Sequence, residues 1–216
     1  MNILSYFLDL LYPRRCAFCH RLLDGDAKVC PACRKKLPYT LGDAQRIKLA
    51  GTGGIYAALY YEGDVRNSLL RYKFHGLNAY ASVYGDFLSK CIDENGISCD
   101  IITWVPLSKR RLRRRGYDQA RLLGEELAKR QGLVCLALLR KVRNTPAQSR
   151  TGNAMRRKAN IAGAYAALNE SAVSGKRVLL VDDIVTTGAT LAECAKTLKA
   201  AGAAEVIGLA VARKRD

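Results

Sequence analysis

Residues 178–190 read Val-Leu-Leu-Val-Asp-Asp-Ile-Val-Thr-Thr-Gly-Ala-Thr, and the expected fold is built outward from them. Val178 to Val181 form an apolar run of strand length. Two acids follow, then a Thr/Gly turn. The stretch from Thr190 to Ala201 has helical character and ends at Gly202, a C-terminal cap. At the carboxyl end of a parallel strand, such a turn offers backbone N–H groups and a helix N-terminus to an anion. Gly188 lets the backbone approach closely. Ala189 stands in the same turn, and the hydroxyls of Thr186, Thr187 and Thr190 add donors. Asp182 and Asp183 can accept hydrogen bonds from sugar hydroxyls, so phosphate and diol together describe a ribose 5-phosphate. The plain alternative is an ordinary turn in which Asp183 and Thr187 cap the helix. It explains the Thr and Gly but leaves paired acids at the end of a buried strand without a reason.

The rest of the chain alternates in the same way. Residues 55–61 and 101–105 read as strands, and residues 64–74, 80–92 and 117–131 as helices. Residues 206–211 read as a last strand, while 133–139 are apolar but ambiguous. Strands separated by helices of this length indicate an α/β fold with a mostly parallel sheet. Residues 41–54 are polar and Gly-rich and read as a linker. The first 45 residues form a separate module, followed by a larger domain over 46–216.

That module carries Cys16, Cys19, Cys30 and Cys33, two C-x-x-C turns ten residues apart. Two such turns close a tetrahedron of thiolates around a structural zinc ion. Zinc would hold the module together, because about 45 residues rarely fold on core burial alone. Cys16–His20 also fits the haem-attachment pattern, which leaves Cys30 and Cys33 unexplained. Cys91, Cys99, Cys135 and Cys194 lie at no ligand spacing and read as core thiols. Residues 3–12 suggest a short amphipathic helix. Asp9 interrupts that apolar run, and it lacks a basic flank and a small-residue cleavage site. The chain is therefore expected to be cytoplasmic, with its cysteines reduced.

Over 216 residues the formal charge is +17. Residues 109–158 hold sixteen Lys and Arg against Asp118, Glu125 and Glu126, so most of the excess is local. An anionic partner is implied, either a phosphorylated small molecule or nucleic acid. The densest run is Lys109-Arg-Arg-Leu-Arg-Arg-Arg115. Tyr72, Phe74, Trp104 and Tyr117 are candidate stacking partners for bases. The chain has no P-loop, dinucleotide-binding, zinc-protease or nucleophile-elbow motif, which excludes those chemistries. His75 sits at a helix end and reads as structural, so no general base is evident.

The 178–190 stretch resembles the phosphoribosyl pyrophosphate signature of type I phosphoribosyltransferases. The N-terminal four-cysteine module followed by Tyr72-Lys-Phe-His-Gly76, Val105-Pro-Leu-Ser-Lys-Arg110, Arg115-Gly-Tyr-Asp-Gln119 and the segment from Thr145 to Arg156 resembles, in that order, the ComF (competence protein F) family. The family's usual Arg-Gly-Phe-Asn-Gln reads Arg-Gly-Tyr-Asp-Gln here. The resemblance implies a type I phosphoribosyltransferase fold behind a small N-terminal zinc module. It implies that Asp182 and Asp183 hold the ribose hydroxyls and Thr186 to Thr190 the 5-phosphate. Leu107, Ser108, Lys109 and Arg110 would hold pyrophosphate with Mg²⁺, and Arg113, Arg114 and Arg115 would lie on a mobile hood. It further implies natural transformation, with single-stranded DNA and a DNA helicase as partners. Two alternatives stay open: an active phosphoribosyltransferase of nucleotide salvage or related metabolism, and a non-catalytic nucleic-acid-binding adaptor.

Overall fold

Side chains alternate across the strand at residues 177–185. Leu179 and Val181 enter one apolar cluster, while Val178 and Leu180 enter a second on the other face. All four are fully buried, as a sheet covered on both sides requires. The computed structural model describes residues 14–74, 76, 78–143 and 161–215. The helix expected over 3–12, His75 and the segment 145–156 lie outside the described residues.

The elements are α1 (Pro31–Lys36), a 3-10 turn (Gly42–Gln45), β1 (Arg46–Ile47), β2 (Ile55–Tyr60), α2 (Gly63–Phe74) and α3 (Tyr80–Glu94). Then come β3 (Ile101–Trp104), α4 (Lys109–Arg115), α5 (Gln119–Gln131), β4 (Leu139–Lys141), β5 (Tyr165–Ala167) and α6 (Glu170–Val173). β6 (Arg177–Val185), α7 (Ala189–Ala200) and β7 (Glu205–Arg213) complete the order. Among the described residues, five strands form one sheet in the order β1-β2-β7-β6-β3. Its four longer strands are parallel, and β1 pairs antiparallel with β2 at the edge. β4 and β5 form a separate antiparallel ribbon.

Helices α3 and α5 pack on one face of the sheet and α7 on the other. The chain leaves β3 for the first face and β6 for the second. β3 and β6 are neighbours, so the crevice between their carboxyl ends is a topological switch point, where open α/β sheets take their ligands.

Some expected boundaries move. β6 does not stop at Val181 but pairs with β7 as far as Val185, so both acids lie within the strand. The basic run 109–115, expected as a turn and a mobile hood, forms α4. Ser108 Oγ caps its start by accepting from Arg111 N, and Gly116, at φ 80, closes its end. Between those caps stand seven good helix formers, with Arg113–Arg115 at the end the helix dipole favours for cations. β1, β5 and α6 span two to four residues each, too short for periodicity to reveal.

The four cysteines converge, with all their sulfurs within 4.8 Å of one another. Cys19 Sγ and Cys30 Sγ are 3.7 Å apart. A ZnS₄ tetrahedron with bonds of about 2.3 Å has edges of about 3.8 Å, so the donor set fits zinc. Burial raises the Cys16 thiol's pKa, but N–H donors from Cys30, Cys19 and Phe18 outweigh it and bring the value down. Cys30 also caps α1. The first turn is not left exposed. Phe18 is buried and packs edge-on against Tyr84 and Phe87 at 6.3 and 5.6 Å. From α2, Ser68 donates to Ala17 O, and Arg71 donates to the carbonyls of Ala17 and Phe18.

Purified protein is expected to carry about one zinc ion per chain, read by elemental analysis, and a strong chelator should unfold residues 14–40 first in hydrogen exchange. Phe18→Ala should cost about 3–5 kcal/mol in urea denaturation, because the cavity opens where the module meets α3.

Candidate functional site

β6 carries its acids to opposite faces. Asp183 shares the face of Leu179 and Val181 and is 4% exposed. Its Oδ1 lies 3.0 Å from Lys73 Nζ of α2, and its Oδ2 accepts from Gln119 Nε2 of α5 at 3.1 Å. Asp182 lies on the face of Val178 and Leu180 and is half-buried, and its Oδ1 accepts from the Asp183 backbone N–H at 2.8 Å. Burial, followed by the charge of Asp183, raises the pKa of Asp182, while Lys73 opposes the shift.

Beyond β6, Thr186 and Thr187 are exposed and Gly188 is buried. Gly188 has φ 70, a left-handed conformation that suits glycine. It is the N-cap of α7, and among the described residues no side chain caps that helix. Among the described residues Thr187 Oγ1 meets only Ala189 N, at a long 3.5 Å. Asp183 is committed elsewhere, so the simple capping account of this turn does not hold. Thr190 stands in the first turn of α7.

Across the crevice, β3 ends at Trp104, and the chain passes through Pro106 into α4. Leu107 N donates to Asp118 Oδ2 at 3.0 Å. Asp118 Oδ1 accepts from the N–H groups of Ala120 and Arg121 and so caps α5. Lys109 and Arg110 are exposed and Ser108 is buried. Below α4 opens a cavity of about 870 Å³, lined by Trp104, Lys109, Tyr117, Arg121, Arg140 and Lys141 among others.

Lys141 is counted in the basic stretch 109–158, but the sequence does not single it out as a site residue. Its Nζ donates to Tyr165 Oη at 3.1 Å. Burial lowers its pKa and Arg111 adds to this, against the pull of Cys194 and Asp182. Only the β4–β5 pairing brings it to the cleft, so no local pattern could have flagged it. Lys73 was visible within Tyr72–Gly76, but its partner was not.

The remaining basic residues divide. Arg113 and Arg114 are exposed. Arg115 turns inward, with its guanidinium 5.0 Å from the centroid of the Phe74 ring. Its Nε and Nη1 are buried without a hydrogen-bond partner among the described residues, as is Gln119 Oε1. Burial lowers the pKa of Arg115, while Asp183 raises it.

Comparison with known proteins agrees with this architecture. Residues 116–216 match the phosphoribosyl transferase domain family, and residues 7–44 match the double zinc ribbon family. Competence protein ComFC of Streptococcus pneumoniae is 31% identical over 180 residues, which cover 82% of this chain and 77% of that protein. ComFC of Bacillus subtilis is 29% identical over 212 residues, covering 85% of this chain and 82% of that protein. The DNA utilization protein YhgH of Escherichia coli is 39% identical over 109 residues, 50% of this chain and 46% of that protein. The fold is thus a type I phosphoribosyltransferase fold joined to a zinc ribbon. With the first of these likenesses running through most of both chains, the chain belongs to the ComF family of competence proteins.

Proposed function

We propose that this protein binds phosphoribosyl pyrophosphate with Mg²⁺ in the β3–β6 crevice and acts in DNA uptake. There it handles single-stranded DNA beside a DNA helicase of the competence machinery. One observation above all supports the ligand: among the described residues α7 starts without a side-chain cap, one short turn from two carboxylates. In this reading the chain divides into a zinc module over 1–45 and a ligand-binding domain over 46–216.

The 5-phosphate rests on the turn from Thr186 to Thr190, where exposed hydroxyls and the first N–H groups of α7 point toward an anion. Asp182, the more open acid, accepts from one ribose hydroxyl. Asp183 accepts from the other through a lone pair left over from its contacts with Lys73 and Gln119. Lys109 and Arg110 face the pyrophosphate. Leu107 and Ser108 shape the backbone there, because the Leu107 N–H and the Ser108 hydroxyl already serve Asp118 and α4.

Mg²⁺ takes oxygen ligands and is commonly held by substrate phosphates with one or two carboxylates, a donor set that Asp182 suits. When bound it supplies charge neutralisation on pyrophosphate oxygens. If transfer occurs, pyrophosphate leaves C1 of ribose as a nucleophile enters. The protein's contribution is then positioning and cationic stabilisation of the departing anion by Lys109 and Arg110.

A specific observation favours the nucleic-acid component. Lys109, Arg110, Arg113 and Arg114 are exposed on α4, and none forms an ion pair among the described residues. A strand's phosphates would relieve that repulsion.

Calorimetry with phosphoribosyl pyrophosphate and Mg²⁺ is expected to show binding that weakens about tenfold or more in Asp182→Asn, because an amide cannot give up a proton to become the carboxylate that the ribose hydroxyl and Mg²⁺ favour. Gly188→Val should abolish it, because a β-branched residue resists φ 70. A wild-type chain that gives no heat at millimolar ligand overturns the reading.

Asp182 also sets a pH dependence. Its folded pKa is raised above the unfolded value of about 3.9, so its stabilising contribution is complete below that value and is lost as pH rises through the folded one. Asp182→Asn does not titrate and should gain stability relative to wild type as pH rises. Urea midpoints across a pH series read this, and a flat difference removes the assignment.

A further inference from the structure

We propose that Phe74 is a stacking platform for a base of single-stranded nucleic acid whose backbone runs along α4. This rests on the nucleic-acid part of the function proposed above and names the residue that receives a base. Four aromatics near the crevice were candidates, and their surroundings separate them. Tyr72 is fully buried, with its hydroxyl bonded to Gln119 O. Tyr117 is half-buried and donates its hydroxyl to Tyr72 O. Trp104 lines the cavity below α4, with Arg121 near its ring. Phe74 alone of the four presents most of its surface, with 56% exposed at the last residue of α2.

A single exposed apolar residue is ordinary, but three further features set this one apart. The Arg115 guanidinium lies 5.0 Å from its ring centroid, so ring and cation already form a stacked pair that a base can extend. Arg115 Nε and Nη1 have no acceptor among the described residues, so two donors of the cation beside the ring are unpartnered there. The same helix carries Lys109, Arg110, Arg113 and Arg114 without ion pairs among the described residues. Phe74 also directly follows Lys73, the partner of Asp183, at the end of α2. Aromatic stacking needs an unstacked base, which single strands offer and duplexes do not.

The test uses zinc-loaded full-length protein and fluorescence anisotropy with a labelled oligothymidine over a salt series. Phe74→Ala should weaken binding roughly five- to 150-fold at every salt concentration and leave the salt slope unchanged. Phe74→Trp should restore affinity. Arg113→Gln with Arg114→Gln should instead flatten the slope, because fewer counterions are released. Any binding to a duplex of the same length should be indifferent to Phe74→Ala. If wild type binds the oligonucleotide and Phe74→Ala binds equally well, this assignment fails while nucleic-acid binding stands. If wild type does not bind it at all, the nucleic-acid reading fails and takes this one with it. A polyglutamate peptide that binds with the same dependence on Phe74 overturns the choice of partner.

Discussion

Asp183 is a carboxylate buried near the carboxyl end of β6, and burying a charge there is costly unless it is paired and hydrogen-bonded. Its partners come from two different helices, Lys73 at the end of α2 and Gln119 at the start of α5. The pairing therefore fixes where two helices meet the carboxyl end of β6. Neighbouring bonds reinforce it: Tyr72 Oη donates to Gln119 O, and Tyr117 Oη donates to Tyr72 O. Removing one partner of such a pair typically costs about 3–5 kcal/mol, because the other charge is stranded. The junction holds as a unit.

Helix α2 carries this constraint to the metal module. Ser68 and Arg71 grip the carbonyls of the first cysteine turn, and Lys73 grips Asp183. At 1.5 Å per residue, the span from Ser68 to Lys73 is about 7.5 Å along the axis. The module and the ligand loop are thus held by opposite flanks of one short helix. The cysteines do more than fold their own loops: they brace the helix that pairs with Asp183. Apolar packing points the same way, because Cys16, Phe18 and Leu37 belong to the same buried cluster as Leu179 and Leu209.

The sequence showed the parallel sheet, the cysteine tetrad and the strand–turn–helix at 178–190 because each rests on local spacing. It did not show that the two acids diverge. That depends on β7 pairing past Val181, which puts Asp182 and Asp183 on successive, oppositely facing positions of a continuing strand. Nor did it show Lys141 at the cleft, which requires β4 and β5 to meet across a long sequence separation. The turn and hood expected for the basic run came from the family resemblance, and with Leu112 as its one apolar residue the run had no apolar periodicity to mark a helix. Its caps, Ser108 and Gly116, were visible but were weighed as parts of other motifs. Exposure was the other missing quantity: Tyr72 and Phe74 are two residues apart, yet one is fully buried and the other mostly exposed.

Asp118 shows how context can cancel a charge that a sequence counts at face value. An acid beside a turn proposed to face pyrophosphate should repel the ligand. Its carboxylate, however, receives the N–H groups of Leu107, Ala120 and Arg121 and sits at the positive end of α5. Burial raises its pKa while those donors lower it, so the carboxylate is both confined and solvated by the backbone. It pins the Leu107 end of the turn to α5. An amide has a single accepting oxygen and would turn its NH2 toward the Leu107 or the Ala120 and Arg121 N–H groups, so only a carboxylate accepts on both sides here. The field at the crevice is then left to Lys109, Arg110, Arg121 and Lys141, and the excess positive charge acts where an anion can meet it.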